Sequence, residues 1–92
     1  MSYRDMYLNL KTRIEQKGFT VKAVGEKTLY DYAGMNPEAA KDFGYKIGSK
    51  EFHIDSNMDW EGKYKTLLHE WQEYQMMKDG KSYWEAHKAS WY

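Results

Sequence analysis

The chain has 92 residues, with 14 basic and 14 acidic side chains and a formal net charge of zero at pH 7. This length predicts a single domain over residues 1–92, and the balanced charge argues against a nucleic-acid partner or a membrane clamp of basic residues. The absence of cysteine excludes disulfides, cysteine-type zinc fingers, iron–sulfur clusters and thiol catalysis. It is also typical of a reducing compartment, which predicts a cytoplasmic protein.

An N-terminal helix is predicted between Ser2, a typical N-cap, and Gly18, a typical C-terminal stop, because apolar residues recur there at helical spacing. The next residues, 19–23, alternate between apolar and polar and predict a strand with one buried face. A second strand is expected over residues 28–33, and the two strands would form a hairpin across the intervening turn.

The middle of the chain predicts shorter elements. Asn36 followed by Pro37 is typical of an N-cap and first helical residue, and starts a short helix, or only a turn, that ends at Gly44. Two strand-like runs follow, at residues 45–47 and 51–55. They could form a third strand with a bulge, or a second hairpin.

The last third of the chain predicts two helices. One runs from about Asp59 to Lys78 and closes at Gly80, and the other starts at a capping box of Ser82 and Glu85. The predicted fold class is therefore α+β. It comprises an N-terminal helix, a small antiparallel or mixed sheet of three to four strands, and a long and a short helix packed as a hairpin.

The apolar residues are unusual in kind: nine Tyr, four Trp, three Phe and six Met stand against ten Leu, Ile and Val together. This predicts a core built largely from rings and thioethers, with Trp71 and Trp84 inside it. Exposed Trp91 and Tyr92 would indicate a partner or a homodimer contact. No apolar run approaches the ~18 residues that a membrane helix needs, so no membrane association is expected.

The segment that indicates chemistry is His69-Glu70-Trp71-Gln72-Glu73. His69 and Glu73 are four residues apart on a predicted helix, so they project from one face about one turn apart and could bind the same metal ion. Glu70 lies beside the pair, close enough to accept a proton from water without binding the metal. This spacing follows the logic of H-E-x-x-H metalloproteases, with glutamate in place of the second histidine.

A third ligand is expected from the last helix. The short connection after Lys78 would fold that helix back on the preceding one and bring His87 to the face that carries His69 and Glu73. Two histidines and one carboxylate, with a fourth position open, form a normal catalytic zinc set. The predicted roles are zinc binding by His69, Glu73 and His87, and general-base catalysis by Glu70.

The residues His69, Glu70, Glu73, Ala86 and His87, together with the order of elements, resemble a minimal zincin. The chain is similar to the small archaeal metallopeptidase scaffolds called minigluzincins, and to small phage-type proteins with an H-E-x-x-E motif and a later Ala-His helix. The motif match covers residues 66–90, and the coarse likeness covers most of the chain. In gluzincins the motif supplies two histidines and the later helix supplies a glutamate. Here the second motif ligand is Glu73 and the later ligand is His87, so the two ligand types have exchanged places.

The resemblance also implies an edge strand above the metal that pairs with substrate backbone, and residues 51–55 would be that strand. His53 would then be either a fourth ligand, which would close the site, or an ordinary hydrogen-bonded strand histidine, which is the favoured reading. The resemblance implies a peptide or protein substrate. The alternative is a non-catalytic accessory protein of phage or mobile-element type, which binds a protein partner and in which the His/Glu cluster only joins two helices.

Overall fold

The computed structural model describes residues 1–25, 29 and 32–90 of the chain. In these residues the chain forms four helices and a three-stranded mixed sheet, in an α+β arrangement that confirms the predicted fold class. The elements in chain order are α1 Tyr3–Gln16, β1 Thr20–Val24, β2 Gly34–Met35, α2 Pro37–Phe43, β3 Glu51–Asp55, α3 Trp60–Lys78 and α4 Tyr83–Ser90.

The helix ends lie close to where the capping residues predict them. The Ser2 side chain accepts a hydrogen bond from the Asp5 backbone at the start of α1, and the Asp59 side chain accepts one from Gly62 at the start of α3. Gly44 follows α2 in the left-handed conformation, with φ of 66°, which glycine adopts without steric cost. Local sequence therefore determines these helix ends.

The sheet pairs its strands differently from the prediction. Its order is β1-β3-β2, with β1 parallel to β3 and β2 antiparallel to β3. The described neighbour of β1 is thus β3. The predicted hairpin falls largely on residues 26–28 and 30–31, which lie outside the described residues. Parallel pairing needs a long crossover, here through α2, rather than a tight turn.

Strand β3 is the central strand of the described sheet, so the prediction that residues 51–55 form an edge strand was wrong. Its three middle residues are all buried, because both edges are paired and both faces are covered. The edges of the described sheet are formed by β1 on one side and by the short strand β2 on the other. The predicted strand at residues 45–47 is also absent: the Tyr45 backbone N–H caps the end of α2, and its ring is buried in the core.

The main core lies between α1, the sheet and α3. Its buried residues are mostly aliphatic, and partly buried rings such as Phe19, Trp71 and Tyr74 surround them. The core is therefore less aromatic at its centre than the composition suggests, because the polar tips of Tyr and Trp favour positions that reach water. The buried members of this cluster are Tyr7, Leu10, Ile14, Val21, Phe52, Ile54 and Leu67.

Trp71 packs against this core as predicted, and its ring centroid lies 5.7 Å from that of Phe52. Trp84 does not belong to the core: 67% of its surface is exposed. Helix α4 turns Ala86 and Ser90 inwards, so Trp84 lies on the solvent side of the helix. Among the described helices, none has both the length and the apolar character needed to cross a membrane.

Candidate metal centre

Helix α3 brings three of the four predicted site residues to one buried face. His69 and Glu73 are each only 1% exposed, and Glu70 is buried beside them. This burial is possible because α3 contacts α1, α2, α4 and the sheet, and so is covered on most sides. The sequence spacing predicted the shared face, and the structure confirms it.

Helix α4 brings the fourth residue, His87, to the same place. The Ser82 hydroxyl accepts from the Glu85 backbone N–H, and Glu85 accepts from the Ser82 backbone N–H, which is the predicted capping box. The fully buried Ala86 packs the helix towards the interior, and the helix hairpin of α3 and α4 forms as expected. The adjacent His87 then faces α3 with its side chain 30% exposed.

Three ligand atoms converge at this point. Glu73 Oε2 lies 2.9 Å from His69 Nε2 and 2.9 Å from His87 Nδ1, and the two nitrogen atoms are 3.2 Å apart. Tetrahedral zinc with bonds of about 2.1 Å separates neighbouring ligand atoms by about 3.4 Å. A point about 2.1 Å from all three atoms therefore exists about 1 Å out of their plane. The three side chains form a group that could hold a metal ion.

The chemistry of the donor set also fits a cation. Each ring nitrogen holds at most one hydrogen, and an ionised carboxylate holds none. A cation at the common point can accept a lone pair from each of the three atoms: from the two nitrogens when the hydrogens lie on the other nitrogen of each ring, and from Oε2 of the ionised carboxylate.

Glu70 lies next to the three ligands and is joined to Glu73 through Asn36. The Asn36 Nδ2 group donates hydrogen bonds to Glu70 Oε1 at 2.9 Å and to Glu73 Oε1 at 3.0 Å. Burial and the neighbouring charge of Glu73 raise the pKa of Glu70 to about 8, while the Asn36 hydrogen bond opposes this shift. With this pKa, most Glu70 carboxyl groups hold a proton at neutral pH when no cation is bound; a cation held by Glu73 would favour the ionised form, which can act as a general base.

Two residues of the site were not predicted as part of it. Asn36 was identified only as a helix cap, and no local pattern relates it to a helix more than 30 residues away. Tyr83 stacks its ring on His87, and its hydroxyl lies 3.3 Å from His87 Nδ1. The spacing of four residues between Tyr83 and His87 on α4 could have revealed this contact.

Burial, together with the charges of Glu73 and Glu70, raises the pKa of Tyr83 to about 12. The phenol therefore keeps its proton at neutral pH and remains a hydrogen-bond donor in the site.

A cavity of ≈ 70 Å³ lies against the group and is lined by residues that include Gly34, Glu70, Tyr83 and His87. Strand β2 forms one wall, and glycine allows its close approach to α3. A Cβ atom at Gly34 would lie 2.8 Å from Thr66 Cγ2 and 3.1 Å from Glu70 Cγ. A cavity of this size admits an ion and a few water-sized groups, so a larger ligand would lie across its mouth.

The structure places His53 outside the group, so it is not a fourth ligand. Its Nδ1 atom lies 2.8 Å from the hydroxyl of the buried Tyr45, at hydrogen-bond distance, and His53 pairs with Met35 in the sheet. Burial lowers the pKa of His53, and the charge of Glu51 only partly offsets this effect. His53 thus has the ordinary structural role that was favoured from the sequence.

None of the protein-family models, curated proteins or solved structures compared with this chain matches it. The resemblance to minigluzincins therefore rests on the five motif residues and the order of the elements. The candidate metal centre rests on the geometry of His69, Glu73 and His87, which could hold an ion.

Proposed function

We propose that this protein is a small zinc-dependent hydrolase that cleaves peptide bonds. The observation that supports this most directly is the convergence of three possible ligand atoms at 2.9–3.2 Å from one another. A second carboxylate, that of Glu70, lies beside them without belonging to the group. Two histidines and one carboxylate are a normal protein ligand set for catalytic zinc. A purely structural zinc site would be expected to have four protein ligands, and within the described residues the group has three.

Each residue has a distinct task in the proposed reaction. His69, Glu73 and His87 would hold the zinc, which supplies Lewis-acid polarisation of the scissile carbonyl group and of water. Glu70 accepts a proton from the attacking water and then donates it to the leaving amine. The Tyr83 hydroxyl, which stays protonated, can donate a hydrogen bond to an oxygen that becomes negative near His87.

A peptide is the favoured substrate because of the place of β2. Gly34 and Met35 form one of the two outer strands of the described sheet, the one that lines the cavity. An extended peptide can add to such a strand through main-chain hydrogen bonds, as in β-augmentation. This arrangement would lay the backbone of the substrate across the mouth of the cavity.

Zinc binding is the first test. Protein prepared without chelator is expected to contain about one zinc per chain, and His69→Ala and His87→Ala should each lose it. His53→Gln is the matched control, because it removes a buried histidine outside the group. Wild-type protein that takes up no zinc from a buffered excess would refute the metal site.

Turnover is the second test, measured with a mixture of fluorescence-quenched peptides and zinc-loaded protein. Glu70→Gln is expected to keep the zinc and to reduce cleavage by at least about 100-fold, since it removes the proton acceptor. Glu61→Gln is the control on the same helix, at an exposed carboxylate that pairs with Lys65. Full activity of Glu70→Gln would contradict the proposed role.

A non-catalytic accessory protein is the second candidate. The favouring observation is that His69, Glu73 and His87 already lie at hydrogen-bond distances from one another, which could join the two helices without a metal. Exposed rings near the group, including Phe43 and Trp84, would then contact a protein partner. This candidate predicts no zinc uptake, and it predicts that Glu70→Gln leaves partner binding intact.

A further inference from the structure

Asn36 connects two parts of the molecule that are distant in sequence. It precedes the first residue of α2, is fully buried, and contacts Glu70 and Glu73, which lie 34 and 37 residues further along the chain. Its single side-chain nitrogen donates to both of these carboxylates. This is more contact than a helix cap requires.

The orientation of the Asn36 amide is determined by α2. Its Oδ1 atom accepts hydrogen bonds from the backbone N–H groups of Glu38 at 3.0 Å and Ala39 at 2.9 Å. Rotating the amide by half a turn would place N–H groups against these two donors. The Nδ2 atom must therefore face α3, where it donates one hydrogen to each carboxylate.

The contact with Glu73 determines which of its oxygen atoms is available. Oε1 accepts from Asn36 at 3.0 Å, whereas Oε2 faces His69 and His87 at 2.9 Å each. Glu73 is thus held ready to bind an ion through Oε2 alone. Since outer contacts of this kind orient metal ligands, their loss typically lowers metal affinity about 10–100-fold.

We propose that Asn36 is a positioning residue of the metal centre, whose single amide nitrogen orients both the ligand Glu73 and the carboxylate of Glu70. This inference rests on the proposed function. A neutral amide suits the task because it supplies two donors without adding a positive charge that would compete with the cation. Helix α2 thereby becomes part of the site although it contributes no ligand.

Asn36→Ser and Asn36→Thr separate capping from positioning. Each hydroxyl can accept a hydrogen bond from the start of α2, as N-cap serine and threonine do, but neither side chain supplies the two amide donors, and neither adds a charge beside Glu70 and Glu73. We expect both variants to retain the circular dichroism of the fold and to bind zinc about 10–100-fold more weakly in chelator competition. Ser2→Ala, which removes the cap of α1 far from the site, should leave zinc affinity unchanged.

Cobalt substitution supplies a readout that a merely structural cap would not affect. Release of Glu73 Oε1 would let both oxygens bind the ion, raise its coordination number and weaken the visible absorption of Co²⁺ in the Asn36 variants. Unchanged zinc affinity and an unchanged cobalt spectrum in a folded Asn36 variant would overturn the inference. If wild-type protein itself binds neither metal, the proposed function fails, which is a different result.

A measurement on the wild-type protein covers the case in which both variants unfold. The two Asn36 side-chain amide protons should be visible by NMR as a pair that exchanges slowly with water, because the group is buried and donates two hydrogen bonds. Zinc should shift this pair while leaving it protected. A rapidly exchanging pair that does not respond to zinc would overturn the inference.

Discussion

Gly34→Ala tests how closely β2 approaches α3. The added methyl group would lie 2.8 Å from Thr66 Cγ2, 3.1 Å from Glu70 Cγ and 3.1 Å from the His53 carbonyl oxygen. Ordinary contacts between carbon atoms are about 3.5–4.0 Å, so the first overlap is about 1 Å. Thr66 is β-branched and buried in a helix, which limits its rotation away from the methyl group.

The expected cost follows from this geometry. Overpacking of a buried position costs about 1–3 kcal/mol, and β2 must move because a backbone oxygen is one of the contacts. Alanine has less conformational freedom than glycine in the unfolded chain, which stabilises the folded state by about 0.4–1 kcal/mol. We therefore expect the free energy of unfolding to fall by about 1–2 kcal/mol. Peptide cleavage should also fall, because Glu70 is one of the displaced groups.

Urea unfolding followed by circular dichroism measures this change. With an m value of about 1–1.5 kcal/mol/M, the midpoint should fall by about 1–2 M. Gly25→Ala is the matched control, since no atom of the described part of the chain lies within 4 Å of its added methyl group and its stability should be unchanged or slightly raised. Equal midpoints for the two variants would refute the close packing of β2 on Glu70.

Three further predictions concern stability. Zinc at 100 times its dissociation constant should add about 2.7 kcal/mol and raise Tm by about 10–20 °C in wild-type protein, but not in His87→Ala, by differential scanning calorimetry. Leu67→Ala, at a fully buried core position, should cost about 2–5 kcal/mol in urea unfolding, whereas the exposed Leu8→Ala should cost little. Because burial lowers the pKa of His53, the unfolded chain takes up its proton first as pH falls below about 6.5, so stability should decline there by at most about 1.4 kcal/mol per pH unit. The free energy of unfolding should fall less steeply with decreasing pH in His53→Gln than in the wild-type protein. Identical pH dependence in the two proteins would contradict the lowered pKa of His53.

The features that the sequence predicts well are those that depend on neighbouring residues. Capping residues such as Ser2 and Asp59 identify helix starts, because their side chains bond to backbone groups only a few residues away. The shared face of His69 and Glu73 follows from helical geometry alone. His87 could be predicted as the third metal ligand because the capping box and the short turn limit where its helix can lie.

The features that the sequence does not reveal depend on long-range packing. The pairing of β1 with β3 joins residues about 30 apart, and local alternation cannot distinguish this partner from a hairpin. Asn36 has the local signature of a cap, while its contacts with Glu70 and Glu73 exist only in the folded chain. Trp84 was placed in the core by composition, but the inward side of α4 is decided by the smaller Ala86.

The division of the ligands between two helices has a topological consequence. His69 and His87 are 18 residues apart, so an ion held by both would close a loop that includes the turn between α3 and α4. Disulfides that close loops of about 15 residues are worth about 3 kcal/mol on entropic grounds. An eight-residue helix such as α4 is too short to persist by itself in water. Zinc would thus act as a reversible cross-link, and the attachment of the last helix to the rest of the protein would depend on the free zinc concentration.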